Sequence, residues 1–294
     1  MKLVVYLVTF LVTSCHLVGQ TTYKGFIGTY PIELVTNVST DGDARAIYVY
    51  TKFEDPIVIN GNLKKGRLVL FEKDLNKKNS ATLTFNNFNA RNSHPEGIWT
   101  DLKTKKELKI TLVKDFEIES GEDSEWADKE IIQPVSLDTK YFKLLVSKKK
   151  GDFEPKVTGL KILEKKTDKL LQRIDLDCQL LGLDNVSTGD YNFDGIKDFS
   201  VFESSYAGPN TSSLYFLYDP KTNKYTDSGF SGVSLEFDNQ TKRITEHNQC
   251  CAGQQHTVAI YKVINNKMVL VEEHCYIWNE KKKDLVEHKM KDCQ

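Results

Sequence analysis

The 294-residue chain carries 40 Lys+Arg against 41 Asp+Glu, a net charge of −1, with 39% hydrophobic and 28% charged residues. That balance excludes a strongly basic nucleic-acid binder, whose affinity comes from neutralising phosphates. It also excludes an acidic disordered chain, because there is enough apolar side chain to offset chain entropy.

At the N-terminus, Met1 and Lys2 precede an apolar run over residues 3–12. The run is shorter than the roughly 20 residues of a bilayer-spanning helix and reads as part of a secretory signal peptide over residues 1–19. Two processing routes are open. The sequence Val12-Thr13-Ser14-Cys15 resembles a lipobox and would leave a lipid anchor at Cys15. Cleavage after Gly19 would leave a plain exported chain, and the apolar residues that follow Cys15 favour this route. Both predict an extracytoplasmic protein: periplasmic, secreted or held as an outer-membrane lipoprotein.

The remaining length, at roughly 150 residues per domain, predicts two domains. Over residues 20–116, short runs rich in Val, Ile, Tyr, Phe and Thr predict strands at 23–27, 32–36, 46–51, 67–71, 81–85 and 108–113. The pairs Asp41-Gly42, Asn60-Gly61 and Lys65-Gly66 fit hairpin turns. No stretch sustains a helical period, and the strand spacing predicts an antiparallel barrel or sandwich. Residues 117–134 open with a dense run of Asp and Glu, which predicts a solvated linker or a short surface helix between domains. Strands resume over 135–294, at 141–146, 159–163, 170–176, 198–203, 214–218, 233–237, 257–263 and 267–273, with Asn265-Asn266 as a tight hairpin between the last two. The predicted class is therefore mostly β, with a barrel or sandwich followed by a β-sandwich or propeller-like domain.

One motif carries chemistry. Residues 190–198 fit D-x-N-x-D-G-x-x-D, with Asp190, Asn192 and Asp194 at alternate positions, Gly195 at the sharp turn, the carbonyl of Ile196 next, and Asp198 closing the set. An all-oxygen donor set at this spacing predicts a hard cation, Ca²⁺. Two carboxylates about 5 Å apart repel by roughly 3 kcal/mol at an effective dielectric of about 20, so an ion would relieve the loop. Val201 stands where a helix-loop-helix hand places its bidentate Glu, and a strand follows the loop. The expected role is thus structural rather than switch-like.

Cys178, Cys250, Cys251, Cys275 and Cys293 cluster in the second half, as disulfide-forming residues of an exported domain do. The adjacent Cys250 and Cys251 are expected to reach two different partners among the other three. A zinc site at His247, Cys250, Cys251 and His256 matches no regular ligand frame. His274 and Cys275 are neighbours on a strand and point to opposite faces, which disfavours a nucleophile pair.

The calcium motif, the following Ser204-Ser205-Tyr206-Ala207-Gly208, the pair Tyr218-Asp219 and Cys250-Cys251 before the last hairpin together resemble a family of bacterial envelope β-domains. That family is similar to periplasmic lysozyme inhibitors and to lysozyme-neutralising immunity proteins. The resemblance covers about a third of the chain. It implies that Ser204, Ser205, Tyr206 and Gly208 sit on a partner-binding loop that enters a lysozyme cleft. Gly25-Phe26-Ile27-Gly28 and Gly97-Ile98-Trp99 resemble a β-domain attached to other exported bacterial proteins. The expected function is a non-enzymatic envelope binding protein with structural Ca²⁺, whose partner is a protein, a lysozyme in the sharpest form, or a cell-envelope glycan. The alternatives are a glycan-processing hydrolase and a structural envelope component.

Overall fold

The computed structural model describes residues 18–118 and 123–293, and within them nearly every element is an antiparallel strand. The N-terminal strands are β1 (Val18–Ile27), β2 (Tyr30–Val38), β3 (Asp43–Tyr50), β4 (Ile57–Lys64), β5 (Arg67–Lys73), β6 (Asn79–Phe85), β7 (Glu96–Asp101) and β8 (Glu107–Glu117). Each pairs with the next, and β8 pairs back onto β1, so the meander closes into an eight-stranded barrel. Closure leaves no free edge. Period-2 alternation sends Leu34, Ala46, Tyr48, Ile59, Leu68, Leu70, Leu83 and Ile110 inward, where they form the barrel core. Most of segment 1–19, expected as a signal peptide, lies outside the described residues; its last two positions, Val18 and Gly19, begin β1.

Three open sheets follow. The first holds β9 (Trp126–Leu137), β10 (Lys140–Lys148), β11 (Lys156–Glu164) and β12 (Leu170–Gln179). The middle sheet holds β13 (Val186–Gly189), β14 (Asp198–Ser205), β15 (Thr211–Asp219) and β16 (Lys224–Asp227). The terminal sheet holds β17 (Glu236–Asp238), β18 (Arg243–Cys250), β19 (Gln255–Ile264), β20 (Lys267–Asn279) and β21 (Asp284–His288). The sheets pack in succession. Val35, Ile47 and Val49 on the outer wall of the barrel share one core with Phe142, Leu144 and Leu160 of the first sheet and with Phe199, Val201 and Phe216 of the middle sheet. The opposite face of the middle sheet, through Tyr191, Tyr215 and Leu217, meets Ile244 and Phe237 of the terminal sheet. β14 is therefore buried on both faces, and this explains its near-continuous apolar sequence.

Three expectations are corrected. The acidic segment 117–134 is not linker throughout: from Trp126 onward it is β9. Ile131 and Ile132 bury their side chains, Glu130 is neutralised by Lys161 at 2.5 Å and Lys143 at 3.6 Å, and the Phe116 and Trp126 rings meet at 4.7 Å, folding the chain back. Residues 119–122 lie outside the described residues. Asn60-Gly61 is not a turn but the middle of β4. There a Cβ on Gly61 would lie 1.8 Å from the Val69 carbonyl oxygen, so glycine serves close strand approach. Lys65-Gly66 makes the hairpin turn instead, both at positive φ.

The third correction concerns cysteines. Cys250 and Cys251 bridge each other, Cys275 bridges Cys293, and Cys178 is a buried free thiol. Cys178 lies on β12, in the core shared by the barrel and the first two sheets, away from the terminal sheet. Burial pushes its pKa up to about 11, so it is not a reactive thiolate. The C-terminal tail carries Cys293 to Gln255, whose side chain donates to the Cys293 carbonyl at 2.8 Å, while Thr257 pairs across to Cys275. Cys275 thus meets Cys293. The adjacent pair is left together in the turn between β18 and β19, where Cys251 and Ala252 take φ of 59° and 55°.

Candidate functional site

The 190–198 loop joins β13 to β14. Asp190 caps the turn, its two carboxylate oxygens accepting the backbone N–H groups of Asp194 at 3.0 Å and Gly195 at 2.9 Å. Asn192 Oδ1 lies 3.3 Å from the same Asp194 nitrogen, and Asn192 Nδ2 donates to Asp194 Oδ2 at 2.9 Å. Asp194 Oδ1 accepts from the N–H of Ile196 at 2.8 Å. Positions one, three and five therefore turn their side chains toward one another, as the motif spacing requires. Gly195 takes φ of 89°, the conformation the sharp turn demands. From outside the loop, Asn192 Nδ2 also donates to Asn266 Oδ1 at 3.1 Å, and Lys242 stands over the Phe193 ring at 5.4 Å.

Asp198 is turned the other way. It is fully buried, with one oxygen accepting from Tyr191 N–H and the other from Tyr218 N–H, each at 2.9 Å. Burial pushes its pKa up to about 6; the two N–H groups pull it down, and the charges of Asp194 and Asp190 push it up again. Among the described residues, no three Asp, Glu, His or Cys side chains form a metal-holding group. The Asp190 and Asp194 carboxylates accept N–H groups of the loop itself, whereas Asp198 takes one from the loop and one from β15. The donor set is still all oxygen, which suits a hard cation and no softer one.

Ser204, Ser205, Tyr206 and Gly208 lie at the far end of β14, roughly 25 Å from Asp198 at about 3.3 Å per residue. Residues 205–209 are exposed, Tyr206 at 53%. The turn is nonetheless held firmly. Tyr206 N–H donates to the Asn210 carbonyl at 2.9 Å, and the Tyr206 hydroxyl lies 3.2 Å from Ser212 Oγ, which Ser204 Oγ also meets at 3.1 Å. Those hydroxyls hold the Tyr206 phenol below its ordinary pKa. Ser205 N–H donates to Gln179 at 2.9 Å. Asn210 clamps the turn to β18, donating to Asn248 and to the Gln249 carbonyl and accepting the Gln249 N–H. The structure thus joins the two sequence-predicted sites by one buried strand but does not bring them together.

Sequence reading passed over the residues that fix both loops, Asn266, Asn210 and Gln179. Asn265-Asn266 was legible only as a hairpin turn, and both residues do take positive φ. It also passed over an aromatic collar with a carboxylate at one end of the barrel: Tyr30, Tyr48, Tyr50, Trp99 and Glu72. The signal for it was strand parity, since these residues share the inward register of Ile32, Ala46, Leu70 and Gly97.

No protein-family model matches the chain, and no curated protein matches it in sequence. Among solved structures, a Xanthomonas type IV secretion system related protein aligns with 58% of this chain and 98% of its own, at 14% identity and a TM-score of 0.37. A protein from Lactobacillus plantarum aligns with 92% of this chain and 95% of its own, at 9% identity and a TM-score of 0.29. The β-propeller domain of the Trilobed protease from Pyrococcus furiosus aligns with 92% and 84%, at 11% identity and a TM-score of 0.26. Superpositions this loose transfer no function to this chain. No helix among the described residues is long and apolar enough to cross a membrane.

Proposed function

We propose that this chain is an exported binding protein, not an enzyme, that engages its partner through the exposed turn bearing Ser204, Ser205, Tyr206 and Gly208. Lysozyme inhibition is the sharpest form of this reading. The observation that supports it is an exposed tyrosine whose phenol and backbone are both tied down. A ring already held in place loses little freedom on binding, so most of its contact energy remains as affinity. The two disulfides, Cys250–Cys251 and Cys275–Cys293, suit an oxidising compartment and hence export.

At the other end of β14, the 190–198 loop is read as a Ca²⁺ site built from Asp190, Asn192, Asp194 and the Ile196 carbonyl; Asp198, expected from the motif to close the set, instead turns inward and anchors the loop to the Tyr191 and Tyr218 N–H groups. The ion would neutralise the Asp190 and Asp194 carboxylates and brace the entry into β14. Its role is structural, because the partner turn is a whole strand away.

Titrating several lysozymes with the purified protein in millimolar Ca²⁺ tests the partner assignment. At least one lysozyme is expected to be inhibited at micromolar protein. Tyr206→Ala is expected to weaken that inhibition by about thirtyfold, the effect of removing a central aromatic anchor. No inhibition of any of them at that concentration would remove the lysozyme assignment.

A further inference from the structure

The barrel carries the aromatic collar at one end. Tyr30 and Tyr50 meet edge to face with ring centroids 6.1 Å apart, and Tyr50 meets Tyr48 in the same way at 5.5 Å. Glu72 turns into this end, where Trp99 Nε1 donates to its Oε2 at 2.8 Å. The Tyr48 hydroxyl is fully buried beside Glu72 and Tyr50, yet it has no partner in hydrogen-bonding geometry. On the outer side of Tyr50 lies a recess of about 330 Å³, walled by Tyr30, Pro31, Tyr50, Thr51 and Phe53. Tyr30 and Phe53 expose 55% and 63% of their surface there.

Two carboxylates lie near this recess, Glu72 close enough to act on Tyr50 and Glu54 next to Phe53 in the chain. Glu72 is half-buried among aromatic rings, and no basic side chain of the described residues forms an ion pair with it. Glu54, buried next to Phe53, accepts the backbone N–H groups of Lys52 and Lys166. A half-buried carboxylate without a counter-charge is costly and sets up a negative potential around it. The recess offers π faces and that potential, with only two phenols and the Thr51 hydroxyl as polar side-chain groups. A sugar, which needs many directed hydrogen bonds, fits this poorly. A cation that makes none fits it well.

We infer that this recess binds a quaternary ammonium group, seated against the Tyr30, Tyr50 and Phe53 rings with Glu72 supplying the opposing charge. The group is the same whether it comes as a free choline-like solute or as a lipid headgroup.

The test is calorimetric titration of the full protein with choline chloride at constant ionic strength, alongside co-sedimentation with phosphatidylcholine vesicles. Saturable heat with choline alone identifies the free solute, and co-sedimentation that choline competes away identifies the headgroup; either supports the site. Tyr30→Ala and Phe53→Ala change exposed residues and are expected to leave the fold intact, checked by unchanged circular dichroism and melting. Each is expected to weaken binding by about tenfold. Glu72→Gln, which keeps an acceptor for Trp99, is expected to weaken it by about threefold or more. The neutral isostere 3,3-dimethylbutan-1-ol is expected to bind at least tenfold more weakly than choline. Neither choline nor vesicles binding would overturn the inference. So would equal binding of the isostere, or binding unchanged in Tyr30→Ala and Phe53→Ala.

Discussion

Phe199→Ala is expected to destabilise the protein by about 4 kcal/mol. Phe199 is fully buried on β14, the residue after Asp198. Its ring stacks on Phe216 with centroids 4.9 Å apart, meets Tyr225 edge-on at 4.9 Å, and touches Phe142 of the neighbouring sheet at 5.1 Å. Truncation removes all three contacts at once and leaves a cavity between two sheets, each too well packed to collapse into it. Against a total stability of about 5–15 kcal/mol, that loss is large. Urea unfolding measures it as a fall in midpoint at unchanged slope. A loss below about 1 kcal/mol would mean that β14 is not the strand on which the middle sheet is assembled.

Cys293→Ser is expected to cost about 3 kcal/mol. The Cys275–Cys293 bridge closes a loop with a sequence separation of 18, and in the chain-entropy picture a loop of that length restricts the unfolded chain by roughly this amount. The loss is local in character, because the bridge ties the tail that follows β21 to β20 at the open end of the terminal sheet. Hydrogen exchange is expected to show β21 amides losing protection in the variant while β14 and β15 amides keep theirs. Uniform loss across both sheets would show instead that the terminal sheet is not a separable layer.

Much of this fold was legible because an antiparallel strand writes its two faces into alternate residues. β1, β2, β3, β5, β6 and β8 were legible as strands from that pattern and from turns such as Lys65-Gly66, with barrel and sandwich both left open. β4 and β7 escaped it for a physical reason. Gly61 and Gly97 sit mid-strand because a Cβ there would collide with the Val69 carbonyl or with the Phe85 ring. In sequence, a glycine required by close strand approach looks like a glycine required by a turn. The acidic start of β9 misled similarly: charge density suggested solvation, but Lys143 and Lys161, distant in sequence, neutralise Glu130. The disulfides were unreadable because partner choice depends on where the C-terminal tail lands.

For the candidate site, the convergence of Asp190, Asn192 and Asp194 was legible from spacing alone. The inward turn of Asp198 was not, since it depends on Tyr218 N–H, which comes from the neighbouring strand β15. The exposure of Tyr206 was implied by the family resemblance, which places it on a loop. Its tethering through Ser212 and Asn210 required the fold.

A calcium titration of chelator-stripped protein, followed by heat of binding and by thermal melting, bears most directly on the reading of the 190–198 loop. The expected result is one ion per chain with a dissociation constant of about 10⁻⁴–10⁻³ M. In 10 mM Ca²⁺ the melting temperature should rise by about 5 °C, and both signals should be absent in Asp190→Ala and Asp194→Ala. Identical melting of the wild type in calcium and in chelator, with no heat of binding, would contradict it.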